Sequence, residues 1–393
     1  MPKVIAATGN MAVAFAMRQI EPDVVAAYPI TPSTQVMEAF SQFVADGVVR
    51  TELVPVESEH SAMSACIGAA AAGGRAMTAT SSQGLALMHE VLYIASGMRL
   101  PIVMAVANRA LSAPINIHGD HSDALGSRDA GWIQLYAESV QEVYDSMIQA
   151  LRIAEDPRVR LPVMVCMDGF TLSHTLERLE LLEDDAVQEF IGEPKAFHPL
   201  LDLEHPVTYG PLVLPDYYTE LKYQQREAME AASGVIREVS EEFGRSFGRF
   251  YGLLEPYRLE DADVAVVLMG SAAGVAKEAV DVLRTRGVKA GLLRVRVFRP
   301  FPVGEVCASL RSVEAVAVLD RADAPGAQGG PLFLDVRSAL YEEERRPVCL
   351  DRIYGLGGRD LLLEEVLKIY EELQKVTGAG RVDRGCAYLQ VRV

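Results

Sequence analysis

The sequence predicts an α/β protein built on a parallel sheet covered by helices, with a second α/β unit behind it. Three observations lead there. Short apolar runs recur at DVVAAYPI (23–30), TELVPVES (51–58), AMTATSS (76–82), PIVMAVAN (101–108) and LPVMVCMD (161–168). Most are continuous rather than alternating, which marks strands buried on both faces. Stretches of helical period separate them, as parallel crossovers require; Val36, Met37, Phe40, Phe43 and Val44 make one such stripe. Finally, 393 residues exceed one ordinary core. A strand, a Gly-Ser turn, a helix and a second strand start afresh at Asp263, in DVAVVLMGSAAGVAKEAVDVLRTRGVKAGLLRVRVFRPFP.

The elements follow in order. The opening MPKVIAATGNMAVAFAMRQIEPD is apolar and carries Lys3, but Gly9-Asn10 interrupts it and Arg18 follows soon after. A capped helix is expected there rather than a targeting segment. In YPITPST (28–34) two prolines bracket Thr31. Proline fixes its own φ and biases its predecessor towards extended geometry. Thr31 or Ser33 is therefore expected to cap the next helix, or Thr31 to offer a preorganised polar contact at the mouth of a site. Helices are expected over 59–73, 83–98 and 139–155, the last opened by Ser139 with Glu142 as a capping box. From about 171 the chain turns rich in Glu, Pro, Tyr and His, and a long polar helix follows near 219–249. The expected division is a first domain over 1–250, with its extension and connector at about 171–250, and a second over 251–393. VEAVAVLDR (313–321) continues the second unit's pattern.

Composition excludes several classes. Lys and Arg number 37 against 54 Asp and Glu, a net charge of −17, and no basic cluster interrupts that balance. Nucleic-acid binding is not expected. The five cysteines, Cys66, Cys166, Cys307, Cys349 and Cys386, lie far apart with no CxxC. Their spacing argues against an internal zinc site or iron–sulfur cluster and for reduced thiols in a cytoplasmic protein. No uncharged stretch reaches membrane-spanning length.

Two stretches stand out chemically. In ESEHSAMSACIGAAAAGG (57–74), a helix starting at Glu59 gathers Ala62, Ala65, Cys66, Ala69, Ala70 and Gly73 on one small face. Small faces admit close approach by a backbone or a flat ligand. Glu59 then sits in the first turn, where the helix dipole favours a carboxylate. It is either a helix-stabilising acid or a semi-buried one that exchanges a proton with a ligand nitrogen. ANRALSAPINIHGDHSD (107–123) follows a strand and so lies where open α/β sheets bind ligands. Arg109 is its lone cation, able to grip a carboxylate through two parallel hydrogen bonds or to satisfy loop carbonyls. His118, Asp120, His121 and Asp123 do not have an established metal spacing and read as a polar loop network. TSSQG (80–84) offers hydroxyls and an amide at a strand end. GSAAG (270–274) lacks both the P-loop Lys and the dinucleotide fingerprint, and YGLGGRD (354–360) reads as a turn and helix start.

Taken together, YPITPST, ESEHSAMSACIGAAAAGGR, TATSSQGLALMHEVLYIASGMRLPIV, NRALSAPINIHGDHSD and RDAGWIQLYAESVQEVYD resemble the alpha subunits of pyruvate:ferredoxin oxidoreductases, in the 2-oxoacid:ferredoxin oxidoreductase family. The resemblance covers almost the whole chain. It implies a thiamine-diphosphate-binding, pyrimidine-type domain followed by a domain similar to the transketolase C-terminal domain, with RVFRPFP part of that match. It further implies that Glu59 hydrogen-bonds N1′ of the aminopyrimidine and so promotes proton loss from the thiazolium C2. Thr31 and Arg109 would receive the 2-oxoacid's carbonyl and carboxylate, and Pro29, Ile30, Ser82 and Gln83 would line the cofactor. The family's diphosphate-binding GDG stretch with its downstream Asn has no counterpart here: Gly-Asp occurs only in HGDHSD, and MDGF lacks the first Gly.

The resemblance therefore implies half a cofactor site. A beta-type subunit would bring diphosphate contacts, Mg2+ and a [4Fe-4S] cluster. Gamma- and delta-type subunits would bring the coenzyme A region and further clusters, and ferredoxin would take the electrons. Pyruvate is the substrate it implies first. A branched-chain 2-oxoacid, phenylglyoxylate, oxalate or 2-oxoglutarate keeps the same chemistry, while a transketolase-like transferase or a scaffold subunit would not.

Overall fold

The computed structural model describes residues 3–194, 196–377 and 386–392. The chain opens with strand β1 (Lys3–Ala7), helix α1 (Gly9–Ile20), β2 (Val24–Ala27), α2 (Thr34–Ala45), β3 (Glu52–Pro55) and α3 (Glu59–Ala72). It continues through β4 (Ala76–Thr80), α4 (Ser82–Leu87), α5 (His89–Gly97), β5 (Val103–Asn108), α6 (Ser122–Gly126), β6 (Ile133–Tyr136), α7 (Val140–Glu155) and β7 (Val163–Asp168). Then come β8 (Glu177–Leu181), α8 (Asp184–Ile191), α9 (Pro215–Phe247) and β9 (Leu254–Tyr257). The last part holds β10 (Val264–Leu268), a 3₁₀ turn at Gly270–Ala272, α10 (Ala273–Thr285), β11 (Ala290–Val295), β12 (Val297–Arg299), α11 (Val303–Leu310) and β13 (Ala315–Asp320). It closes with α12 (Pro331–Leu340), β14 (Val348–Ile353), a 3₁₀ turn at Leu356–Gly358, α13 (Leu363–Val376) and β15 (Ala387–Tyr388).

The first sheet has seven strands in the order β12-β6-β7-β5-β4-β2-β3. All its pairings are parallel except β12 with β6. The second has six, β15-β14-β13-β10-β11-β9, with only β9 antiparallel. The five apolar runs became β2, β3, β4, β5 and β7, and every residue of β4, β5 and β7 is buried.

Several elements differ from the sequence reading. The N-terminus is not helix throughout: β1 precedes α1 and pairs antiparallel with β8, and Thr8 caps α1 by accepting from Met11 N. The helix expected over 83–98 breaks at Met88 into α4 and α5. Neither Thr31 nor Ser33 caps α2; the Ser33 hydroxyl donates backwards to Ile30 O at 2.9 Å. Ser139 does cap α7, but the Glu142 carboxylate accepts from Glu138 N instead of closing a capping box with Ser139. The strand in RVRVF is divided: β11 pairs within the second sheet, and β12 returns to the first.

That return makes the two sheets one body. A single apolar cluster runs from Ala62, Leu85 and Leu92 of the first unit through Tyr136 and Phe298 to Leu293, Val318 and Leu332 of the second. A buried ionic network lies beside it. Arg294 Nη1 donates to Glu142 at 2.9 Å and Arg294 Nε to Glu255 at 2.6 Å. Arg296, 1% exposed, donates from Nε to Glu142 at 3.0 Å and from Nη2 to Ser146 Oγ at 3.0 Å. Lys277 bridges Glu138 and Glu255, each at 2.7 Å.

The C-terminal ends of the first sheet's strands meet the second unit at Asp168. Its carboxylate takes His121 Nε2 at 2.7 Å, Arg321 Nη1 at 2.8 Å, and the backbone N and hydroxyl of Ser271 at 2.7 and 2.6 Å. Burial by itself would raise this carboxyl; Arg321 and His121 more than offset that and hold it far below the usual range. The GSAAG turn is thus a docking turn for Asp168. Gly270, at φ +73°, is required there, because a Cβ would stand 2.7 Å from the Asp168 oxygen.

Candidate active site

Glu59 is the first residue of α3, behind an N-cap in which Ser58 accepts from Ser61 N. It is 6% exposed, and among the described residues its carboxylate receives no hydrogen bond. Gly84 packs directly against it: a Cβ there would stand 2.7 Å from Glu59 Oε1 and 2.8 Å from its Cγ, and would also strike the Thr80 hydroxyl. Thr80 Oγ1 and Ser81 Oγ are buried and likewise lack partners. Thr80 Oγ1 and Glu59 Oε1 therefore both border the space beside Gly84, at the end of β4.

From Glu59 the site extends through two loops. Ser82 holds a left-handed φ of +47°, and its hydroxyl donates to Ala110 O at 2.5 Å, with the Gln83 side-chain amide 2.6 Å from the same oxygen. Arg109 is 7% exposed; its Nε donates to Asn116 O and its Nη1 to Thr31 O, both at 2.9 Å. Burial lowers its pKa, opposed by Asp123. Nη2 makes no hydrogen bond among the described residues. The Thr31 side chain is exposed, and so is Pro29, while Ile30 and Gln83 are half-buried.

Contacts link Glu59, Ser82, Arg109 and Thr31 beyond the strand ends of the first sheet. Glu59 touches Gly84, two residues from Ser82; Ser82 reaches the Arg109 loop; Arg109 holds Thr31. The sequence reading gave no role to Gly84, whose small-residue signal lay in TSSQG. It read the four acids and histidines of HGDHSD as one network. In the fold they separate: His121 goes to Asp168, Asp120 accepts from Ser122 and from Gly357 N, and Asp123 joins the two site loops. Among the described residues no group of three His, Cys, Asp or Glu side chains is arranged to hold a metal ion. YGLGGRD also meets this loop, with Asn116 Nδ2 donating to Gly357 O at 3.0 Å.

A largely buried glutamate at a helix start, beside a glycine and the Thr80 hydroxyl, fits the pyrimidine ring of thiamine diphosphate, whose nitrogens and amine need such partners. The class these features define is a thiamine-diphosphate-binding α/β protein. A family model described as pyruvate flavodoxin/ferredoxin oxidoreductase, thiamine-diphosphate-binding, matches residues 15–241, more than half the chain. A second, the pyruvate:ferredoxin oxidoreductase core domain II, matches residues 262–366. The chain belongs to the pyruvate:ferredoxin oxidoreductase family.

Relatives carry the likeness end to end. The chain is 59% identical to pyruvate synthase subunit PorA of Thermotoga maritima, over 94% of both chains. It is 51% identical to the subunit of the same name from Methanocaldococcus jannaschii, over 95% of this chain and 96% of that one. Ketoisovalerate oxidoreductase subunit VorA of Pyrococcus horikoshii is 46% identical, over 96% and 95%. Among solved structures, the 2-oxoglutarate:ferredoxin oxidoreductase of Magnetococcus marinus superposes with a TM-score of 0.74 at 23% identity, covering 95% of this chain but 65% of that longer one. A split-gene transketolase superposes at 0.57 with 14% identity, over 95% and 99%. These two likenesses concern the fold alone. Among the described residues no helix is long and apolar enough to cross a membrane.

Replacing Gly84 with alanine tests the site's shape. The methyl would push on the Glu59 side chain and on Thr80, and overpacking of this kind costs about 1–3 kcal/mol. Thiamine diphosphate affinity is expected to fall roughly 10- to 100-fold, read by titrating the cofactor into the assembled enzyme. Unchanged affinity would mean that the cofactor does not approach Glu59 beside Gly84.

Proposed function

We propose that this chain is the alpha subunit of a multi-subunit pyruvate:ferredoxin oxidoreductase, which converts pyruvate and coenzyme A to acetyl-CoA and CO2 and passes electrons to ferredoxin. The observation that carries the reading is the buried, unpartnered Glu59 against Gly84. The names of the relatives at 59% and 51% identity support pyruvate over the branched-chain acid.

In this reading thiamine diphosphate, when bound, supplies the nucleophilic and electron-sink chemistry that cleaves the carboxylate from the 2-oxo carbon. The chain's own residues bind and orient. Glu59 shares a proton with the pyrimidine N1′ and sets that ring's tautomer. Pro29, Ile30, Ser82 and Gln83 line the ring. The Thr31 hydroxyl and the free edge of Arg109 receive the substrate's carbonyl and carboxylate. Because two of the Arg109 nitrogens already hold the carbonyls of Asn116 and Thr31, the guanidinium is fixed in place and offers Nη2 rather than a loose fork.

A beta-type subunit contributes the diphosphate contacts, Mg2+ and a [4Fe-4S] cluster; gamma- and delta-type subunits contribute the coenzyme A region and further clusters. Purified alone, the chain is expected to contain no stoichiometric iron and to bind thiamine diphosphate weakly. The complete complex should reduce a ferredoxin with pyruvate and coenzyme A, at higher kcat/KM than with 2-oxoisovalerate or 2-oxoglutarate. A second carboxylate would lie in the site without its own cation, an uncompensated burial. Iron bound by the isolated chain would refute the division of labour, and a preference for the dicarboxylate would refute the substrate assignment.

A further inference from the structure

We propose that Asp123 is a positioning residue that latches the two halves of the candidate site together, fixing the Ser82 loop relative to the Arg109 loop. This rests on the functional reading above in one respect only, that those two loops serve cofactor and substrate.

Asp123 is 3% exposed at the start of α6. Its carboxylate accepts four hydrogen bonds. Oδ2 takes the backbone N–H of Ser82 at 2.8 Å and that of Arg109 at 2.9 Å. Oδ1 takes Asn108 Nδ2 at 2.8 Å and Ala124 N at 2.7 Å. The first two donors stand just beyond the C-terminal ends of neighbouring parallel strands, β4 and β5, which pair Thr80 with Val106. Backbone amides leaving two parallel strands have no ladder partner at that point, and one oxygen satisfies both. The gap between the loops is therefore set by a single atom.

Ser82 shows that the latch bears a load. A non-glycine residue at φ +47° is strained. It is held on one side by Asp123 and on the other by its own hydroxyl on Ala110 O, the residue after Arg109. Both ties run to the same neighbouring loop. Releasing the first would let Ser82 relax, move Gly84 away from Glu59, and loosen Arg109 from Thr31. Asparagine cannot stand in: it has one acceptor oxygen, so one donor pair would face an NH2 group. Burial pushes the Asp123 carboxyl up to about 6, against the pull of the four donors, which agrees with a carboxylate kept in a dry place for the bonds it accepts.

The test compares Asp123→Asn with Asn108→Ala. The control removes one bond to Asp123 while leaving the Ser82 and Arg109 amides on it. In the chain itself, amide exchange is measured on peptides covering 80–84 and 107–111. Asp123→Asn should lose about tenfold or more in protection at both, and Asn108→Ala at neither. In the assembled complex, the KM for pyruvate and the thiamine diphosphate concentration for half-maximal rate should rise together, each about tenfold. The control should stay within about threefold for both at a comparable Tm. Asp123→Ser carries the same comparison if the asparagine variant does not assemble. Retained protection at both segments, or a loss confined to Tm with both half-saturation values unchanged, would overturn the latch. The exchange measurement needs no turnover, so a wild-type complex that ignored pyruvate would overturn the functional reading and leave the latch standing.

Discussion

Glu59→Gln is expected to lower pyruvate-dependent electron transfer by about 10²- to 10⁴-fold, the range that a positioned proton donor or acceptor contributes. The amide fills the same space beside Gly84, so packing and assembly should survive. What it cannot do is share a proton with a ring nitrogen. The structure makes this substitution unusually clean, because among the described residues no hydrogen bond to the Glu59 carboxylate is lost. The measurement is the rate of ferredoxin reduction in purified, cofactor-saturated complex, with Tm as the control. A variant that turns over within a factor of a few of wild type would remove Glu59 from the mechanism.

The second large effect concerns stability. Glu142→Gln removes the one carboxylate that Arg294 and Arg296 share at the junction between the sheets. Arg294 keeps Glu255 and Glu138, but Arg296 is left, among the described residues, with Ser146 Oγ, Gly252 O and the Tyr251 ring face and with no carboxylate. Stranding a buried charge costs about 3–5 kcal/mol. The Tm of the chain is expected to drop by roughly 4–6 °C, together with a lower urea midpoint. Adding Arg296→Met should recover much of the loss, since an apolar residue of similar volume carries no charge to strand. Equal stability of Glu142→Gln and wild type would show that the network is wet and inconsequential.

Much of this was legible before folding. The apolar runs announced β2, β4, β5 and β7 because burial on both faces leaves a continuous signature. The place of Glu59 in the first turn of α3 was legible because an acid and a small-residue helix are adjacent in sequence. What escaped depends on distance along the chain. Asp123 meets Ser82 and Arg109, 41 and 14 positions away, and no local pattern records such a meeting. Glu142 looked like half of a capping box because Ser139 stood at the right offset, while its true partners lie 152 and 154 residues on. Gly84 was hidden for the opposite reason: a glycine's role is the space it leaves, and only the fold shows what stands in that space. Arg109 was read with two uses open, and the fold employs its Nε and Nη1 on loop carbonyls while Nη2 makes no hydrogen bond among the described residues.

One strand has a consequence for how the protein is made. β12 pairs Val297 with Leu135 and Arg299 with Gln134, at the rim of a sheet whose other six strands all lie within the first 168 residues. While the ribosome is still translating the intervening stretch, β6 has an open edge with unpaired backbone groups, the kind of edge that recruits foreign strands. At about 5–20 residues per second that interval lasts on the order of ten seconds. The nascent chain therefore cannot finish its first sheet in the order in which it is synthesised. Until the RVRVF segment has cleared the exit tunnel, the outer edge of β6 stays available to any strand that can pair with it.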